Sequence, residues 1–183
     1  MAEPPDTARL SFVPAQPGDA PLLVALDADP AVTRFINGGR PTTLAENRQR
    51  IVAAGGRLWL AREPRTGEVV GWFSLRPSGP AAHELGYRLH RRWWGRGLAT
   101  EGARAMVDLA FSALGAEVVW AQTMTVNAPS RRVMERCGMR HTATFFADWG
   151  EVIEGSEHGD VRYALTREAW AARPSPADPT GAV

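Results

Sequence analysis

A mixed α/β domain of the α+β kind, with a mainly antiparallel sheet, is the fold class this sequence predicts. Three observations predict it. The apolar period is helical in pieces up to about residue 56, alternating and β-rich from 57 to 90, and helical again from 98. The β-rich runs are joined by turns as short as "EPRTG" and "RPSGP", which favour antiparallel neighbours over crossovers. A chain of 183 residues, 44% hydrophobic and 22% charged, suits one domain with a substantial core.

Each element has its own signal. "RLSFV" reads as a short strand. "DAPLLVALDADP" carries a helical stripe that Pro30 interrupts, and "PTTLAENRQRIVAAGG" opens on proline and threonines and closes on two glycines. "RLWLARE", "EVVGWFSLR" and "HELGYRLH" are three consecutive strands. Residues 98–114 form a helix with Leu98, Gly102, Ala105, Met106, Leu109, Ala113 and Leu114 near one face, and Gly115 can supply its left-handed cap. "EVVWAQTMTV" is a strand, and "APSRRVMERCG" is a short helix with Pro129 in its first turn and Gly138 beyond its end. "MRHTATFFADW" and "DVRYALT" are the last two strands, joined by an acidic loop. Residues 1–8 and the proline-rich 171–183 are expected to be flexible, leaving one domain over 9–170.

Composition excludes several function classes. All 21 basic residues are arginine, so Schiff-base chemistry and the lysine of a phosphate-binding P-loop are ruled out. The net charge of +1 gives no global case for nucleic acid or membrane partners. One cysteine, Cys137, cannot form an internal disulfide or a multi-thiolate metal site, and no metal is expected. There is no signal-peptide core and no apolar run of membrane-spanning length, so a cytoplasmic location is expected.

The stretch "HRRWWGRGLATEG", His90 to Gly102, lies between a strand and a helix. A helix that begins after a glycine-rich turn presents unpaired N–H groups and the positive end of its dipole, a ready site for phosphate. Gly95 and Gly97 let the backbone bend and approach a ligand, and Arg91, Arg92 and Arg96 add charged donors. A second cluster, Arg131, Arg132 and Arg136, follows a later helix start, which suggests an extended ligand with several phosphates. A dinucleotide fingerprint fits poorly: Thr100 stands where the third glycine belongs, and the alternating parallel units are missing.

The ordered combination from Glu84 to Met139 resembles the GNAT superfamily of acyl-CoA-dependent N-acetyltransferases. Gly97-Leu98-Ala99 matches the end of its signature, with Trp94 where the general pattern has Gln or Arg. "ELGYRL", "WWGRGLATEGARAMVDLAF", "VNAPSRRVMERCGM" and "DVRYALTREAW" are similar to the branch that contains bacterial ribosomal-protein N-terminal acetyltransferases. The resemblance covers residues 9–170. It implies a sheet of about seven strands, splayed between the fourth and fifth, flanked by about four helices. It implies acetyl-CoA as cosubstrate, with Tyr87, Arg88 and Leu89 along the pantetheine arm. Gly95, Arg96, Gly97, Leu98, Ala99 and Thr100 would lie at the pyrophosphate, and Asn127 and Ser130 on the far side.

Direct attack by an amine needs a base, a polarised thioester carbonyl and a stabilised leaving thiolate. Glu84, set among Leu85, Tyr87 and Trp72, is the candidate base; pairing with an arginine is its competing role. Met134 stands where many relatives carry an acidic tyrosine, and Gln122 stands about where some carry a strand carboxylate, so both groups are missing. Ser130 is the candidate to hydrogen-bond the sulfur; a helix-start cap is its alternative. Cys137, His83 and His90 read as structural. Asp148, Glu151, Glu154, Glu157 and Asp160 are candidates to attract a cationic acceptor, with Phe145, Phe146 and Trp149 as an apolar wall and residues 35–50 closing the other side. The expected partner is a primary amine, on a small molecule or a protein N-terminus. A homodimer stays open, as do a non-catalytic acyl-CoA-binding or regulatory protein on the same fold and a nucleotide-binding protein.

Overall fold

The computed structural model describes residues 2–146 and 153–173. Among these residues seven strands form one sheet: β1 (Ser11–Pro14), β2 (Leu58–Arg62), β3 (Val69–Pro77), β4 (Ala82–Leu89), β5 (Val118–Met124), β6 (Arg140–Phe145) and β7 (Asp160–Thr166), in the order β1-β2-β3-β4-β5-β7-β6. Every pairing is antiparallel except β4 with β5.

Among the described residues six α-helices accompany the sheet, where about four were expected: α1 (Ala20–Asp27), α2 (Pro30–Asn37), α3 (Leu44–Ala53), α4 (Leu98–Ala113), α5 (Ala128–Arg136) and α6 (Arg167–Ala171). Pro30 does more than interrupt the first stripe. Asp29 caps the amide of Ala31 and Pro30 opens a fresh helix, so α1 and α2 are separate elements. Thr43 and Glu46 cap the start of α3 reciprocally. At α6, five residues long, Thr166 accepts from the amide of Ala169, and Trp170 stacks on Phe111 with ring centroids 5.4 Å apart.

Helices cover both faces of the sheet. In β2, Trp59 and Ala61 enter one core with α4, while Leu58 and Leu60 enter a second core with α1 and α3. Strand alternation produces this split, and burial on both faces explains the unbroken apolar run "LWL". α4 lies over β3 and β4 closely enough that a Cβ on Gly102 would come 2.3 Å from the Phe73 ring. The chain before β1 is fastened too: Asp6 accepts from the amide of Phe12, and Thr7 donates to Glu101 at 2.6 Å. These contacts tie residues 6 and 7 to β1 and α4.

The feature that makes a site is the short β4–β5 ladder. Pairing runs only from Ala82↔Val118 to Glu84↔Trp120, after which β4 continues to Leu89 and β5 turns to β7 alone. The second halves of the two strands splay apart, as the family resemblance implies. Among the described residues no helix is long and apolar enough to cross a membrane.

Candidate active site

Two cavities open at the splay. The larger, about 550 Å³, runs from β4 over the turn before α4 to the first turns of α5. The smaller, about 350 Å³, lies between β4, β5, α2 and the start of β7. Phe35, Ile36, Tyr87, Arg88, Asn127 and Ser130 line both, so the cavities meet at these residues.

The larger cavity is built for an anion at one end. Gly95 and Gly97 have φ of 73° and 80°, the left-handed region, and nothing lies within 4 Å of a Cβ built on Gly95. Helical bonding in α4 begins with the amide of Glu101 on the Gly97 carbonyl at 3.0 Å. The amides of Leu98, Ala99 and Thr100 are thus left at the helix start without intrahelical acceptors. These residues line the cavity with Gly95 and Gly97.

The arginines are arranged differently from their order in sequence. Arg92 pairs with Glu68 at 2.7 Å, and Arg96 lies over the Trp93 ring at 5.0 Å, its carbonyl held by Arg9 at 2.9 Å. None of Arg91, Arg92 and Arg96 lines the cavity; Arg132 and Arg136 do. Arg131 turns away to the Thr125 carbonyl and the Tyr163 hydroxyl. Arg34 of α2 and Arg88 of β4 line the cavity as well, but these two pair with Glu154 and Asp27; the arginines of the turn brace it from outside. Trp94 is part of that bracing: its indole N–H donates to the Leu89 carbonyl at 2.8 Å. The adjacent Trp93 packs on the core beneath the two arginines.

Arg88, expected along the cofactor, sends its guanidinium to the fully buried Asp27 and lies over Trp72 at 5.4 Å. Burial lowers the guanidinium's pKa and Asp27 opposes that effect. Thr42 and Arg50 also reach Asp27, so the pair joins α1, α3 and β4 behind the splay. The side chain is committed to the fold at a point where it also lines both cavities.

Glu84 lines the smaller cavity. Its setting differs from the expected one. Alternation along β4 sends Leu85 and Tyr87 to the α4 face and keeps Glu84 with Gly86 and Arg88 on the other. There Arg76, its register partner on β3, donates to Oε2 through Nε at 3.0 Å and also through Nη2. The competing role of arginine partner is thus realised, beside the cavity.

Asn127 caps α5. Its side-chain oxygen accepts from the Ser130 amide at 3.3 Å and its amide group donates to Thr123 at 2.9 Å. The Ser130 hydroxyl is free of the capping role considered for it and sits 3.0 Å from the hydroxyl of Tyr87. Met134 is buried and offers no hydroxyl to the cleft. Cys137 is buried as well; burial pushes its thiol up to about 12, which leaves no thiolate near neutrality. Arg57 donates to His83 Nε2 at 2.7 Å, and burial followed by the charge of Arg57 lowers the imidazole pKa, a structural arrangement.

Asp160, Ser156, Gln122 and Ile153 line the smaller cavity with Glu84. Glu154 instead forms an exposed pair with Arg34 at 3.2 Å, and Glu157 lies 3.6 Å from His158. Phe146 is exposed, and Asp148, Trp149 and Glu151 lie outside the described residues. Phe35 and Ile36 of α2 line the smaller cavity too. The tyrosine–serine contact was the feature missed from sequence. Tyr87 and Ser130 lie 43 positions apart, and only the docking of α5 brings them together.

An open sheet with a splayed parallel pair, an anion-binding helix start and two cavities meeting between them defines a class: a domain that holds an extended, phosphate-bearing ligand against a second substrate. The acetyltransferase (GNAT) domain family matches residues 9–140, and the chain belongs to that family. It is 38% identical over 181 residues to an FsC-acetyl coenzyme A-N(2)-transacetylase of Aspergillus fumigatus, covering 90% of this chain and 76% of that protein. Two solved structures share the fold. One is RimL, a ribosomal L7/L12 α-N-protein acetyltransferase in complex with coenzyme A, with TM-score 0.75, 19% identity, and 91% and 98% of the two chains covered. The other is spermidine N-acetyltransferase of Vibrio cholerae with CoA and spermine, with TM-score 0.76, 13% identity, and 90% and 99% covered.

Proposed function

We propose that this acetyltransferase moves an acetyl group from acetyl-CoA directly to a primary amine within a ternary complex. The supporting observation is the meeting of the two cavities at Tyr87, Arg88, Asn127 and Ser130. Acetyl-CoA takes the larger cavity, its pyrophosphate at the amides of residues 95–100, with Arg132 and Arg136 beside the remaining phosphate. The thioester then lies at the junction and the amine enters through the smaller cavity.

The amine nitrogen attacks the carbonyl carbon and a C–N bond forms. The C–S bond breaks, and its electron pair leaves with the sulfur. Glu84 takes the proton given up by the amine, through water where the distance requires it, and solvent returns a proton to the thiolate. Ser130 hydrogen-bonds the departing sulfur.

The acceptor is a small-molecule amine on an apolar stem. Glu84 and Asp160 suit an ammonium, while Phe35, Ile36, Trp72 and Met124 suit the stem. The Aspergillus relative is named for transfer to an N(2) nitrogen, which favours a small molecule over a protein N-terminus.

A thiol-release assay with acetyl-CoA over small amines and short peptides tests the reaction and acceptor together. Glu84→Gln should lower kcat about 100-fold and Ser130→Ala about 10-fold, with acetyl-CoA affinity little changed. Full turnover in both variants would remove these roles. Bound acetyl-CoA without thiol release from any amine would favour the non-catalytic alternative.

A further inference from the structure

We propose that Tyr87 is a positioning residue that fixes the Ser130 hydroxyl as the hydrogen-bond donor to the departing sulfur, an assignment that rests on the proposed role of Ser130. The Tyr87 hydroxyl lies 3.0 Å from Ser130 Oγ and 3.1 Å from the Ser130 carbonyl oxygen. That carbonyl lies inside α5, where it accepts the amide four residues on. The phenol proton is thus shared between an acceptor already served and a hydroxyl oxygen that is not part of the helix.

Geometry makes the choice when a thioester is present. A serine hydroxyl has one proton and two lone pairs. If Tyr87 donates to Oγ, the serine proton is released to point into the junction of the two cavities, and each donor in the chain polarises the next. If Tyr87 donates to the carbonyl instead, Oγ satisfies itself by donating to the phenol, and its proton points away from the cleft. Charge developing on sulfur favours the first arrangement, because both donors then point toward it.

The surroundings hold this pair in place. Asn127 fixes the Ser130 main chain through the amide, so the hydroxyl alone remains to be oriented. The Tyr87 ring packs against Phe73 at 6.1 Å between centroids, which fixes the phenol from the core side. Burial raises the Tyr87 pKa well above its ordinary value, so the group stays a proton donor throughout the neutral and mildly alkaline range. No proton leaves Tyr87 in the cycle. It supplies a hydrogen bond, while the proton balance of the transfer runs through the amine, Glu84 and solvent.

The test is a double-mutant cycle on the full chain with Tyr87→Phe, Ser130→Ala and the pair, reading kcat, the KM for acetyl-CoA and the melting temperature. Phenylalanine keeps the ring and removes only the hydroxyl. Tyr87→Phe is expected to lower kcat about 5- to 10-fold with KM within twofold, and the double variant to be no slower than Ser130→Ala. Additive losses would overturn the proposal, since Tyr87 would then act independently of Ser130. So would unchanged kcat in Tyr87→Phe beside a slowed Ser130→Ala, which leaves the Ser130 role standing. A lower melting temperature and raised KM with kcat intact would make Tyr87 a strut only. If Ser130→Ala itself keeps full kcat, the role of Ser130 fails and this one with it.

Discussion

Glu101, in the first turn of α4, is the residue on which the N-terminal segment closes. It accepts from the Thr7 hydroxyl at 2.6 Å, the Arg9 amide at 3.0 Å and Arg9 Nε at 2.7 Å. Burial alone would raise its pKa, but the bonds from Thr7 and Arg9 outweigh it and hold the carboxyl below its ordinary 4.5. A carboxyl depressed in the folded state adds stability that is complete above its unfolded pKa and is lost as pH falls through the folded value. Glu101→Gln should cost about 1–2 kcal/mol near pH 7, and its stability should decline less steeply below about pH 4.5. Urea unfolding of both proteins between about pH 3 and 7 measures this; parallel curves would contradict it.

α4 works as an element because its two ends of function demand different things. Its start needs open backbone, which Gly95 and Gly97 give, and its body needs close approach to the sheet, which Gly102 gives against Phe73. Gly102→Ala should destabilise by about 1–3 kcal/mol, although alanine favours helix by about 1 kcal/mol, because the Cβ has no room over a buried ring. Urea midpoints with an unchanged slope would report it; a more stable variant would mean that Phe73 yields. The sequence carried the elements well where one short run held the whole signal: "DVRYALT" is β7, and residues 98–114 overlap α4 almost completely. It carried α6 poorly, because five residues hold too little periodicity to register. The alternation in "ELGYRL" that separates Glu84 from Leu85 and Tyr87 was readable and decides which face each residue serves. The roles of the arginines were not readable. Arg91, Arg92 and Arg96, close in sequence, point to open surface, Glu68 and a tryptophan face, while the arginines that line the cavity, Arg34, Arg88, Arg132 and Arg136, are spread over α2, β4 and α5. Partners such as Asp27 for Arg88 are set by tertiary packing across 61 positions, for which local pattern holds no information.

At the scale of the molecule, the larger cavity draws its walls from α2, β4, the turn before α4, and α5, elements that the fold otherwise joins through separate cores. A ligand filling it ties these parts together and binds only the folded chain, so acetyl-CoA at about 100 times its Kd should add about 2.7 kcal/mol of stability. For a domain of this size that corresponds to a rise in melting temperature of roughly 5–11 °C. Of the four arginines lining the cavity, Arg34 and Arg88 pair with Glu154 and Asp27, so the charge offered to the ligand is assigned to Arg132 and Arg136, whereas Arg91 lies outside the cavity. Arg132→Ala with Arg136→Ala should therefore weaken acetyl-CoA binding about 10- to 100-fold, while Arg91→Ala should leave it within about twofold. The wild-type affinity should also fall more steeply with salt than that of the double variant, since exposed phosphate contacts are screened. Calorimetric titration at two ionic strengths reads both effects. Equal losses from Arg91→Ala and from the α5 pair would mean that proximity in sequence to the glycine turn, and not the position of α5 across the splay, selects the phosphate-binding charge.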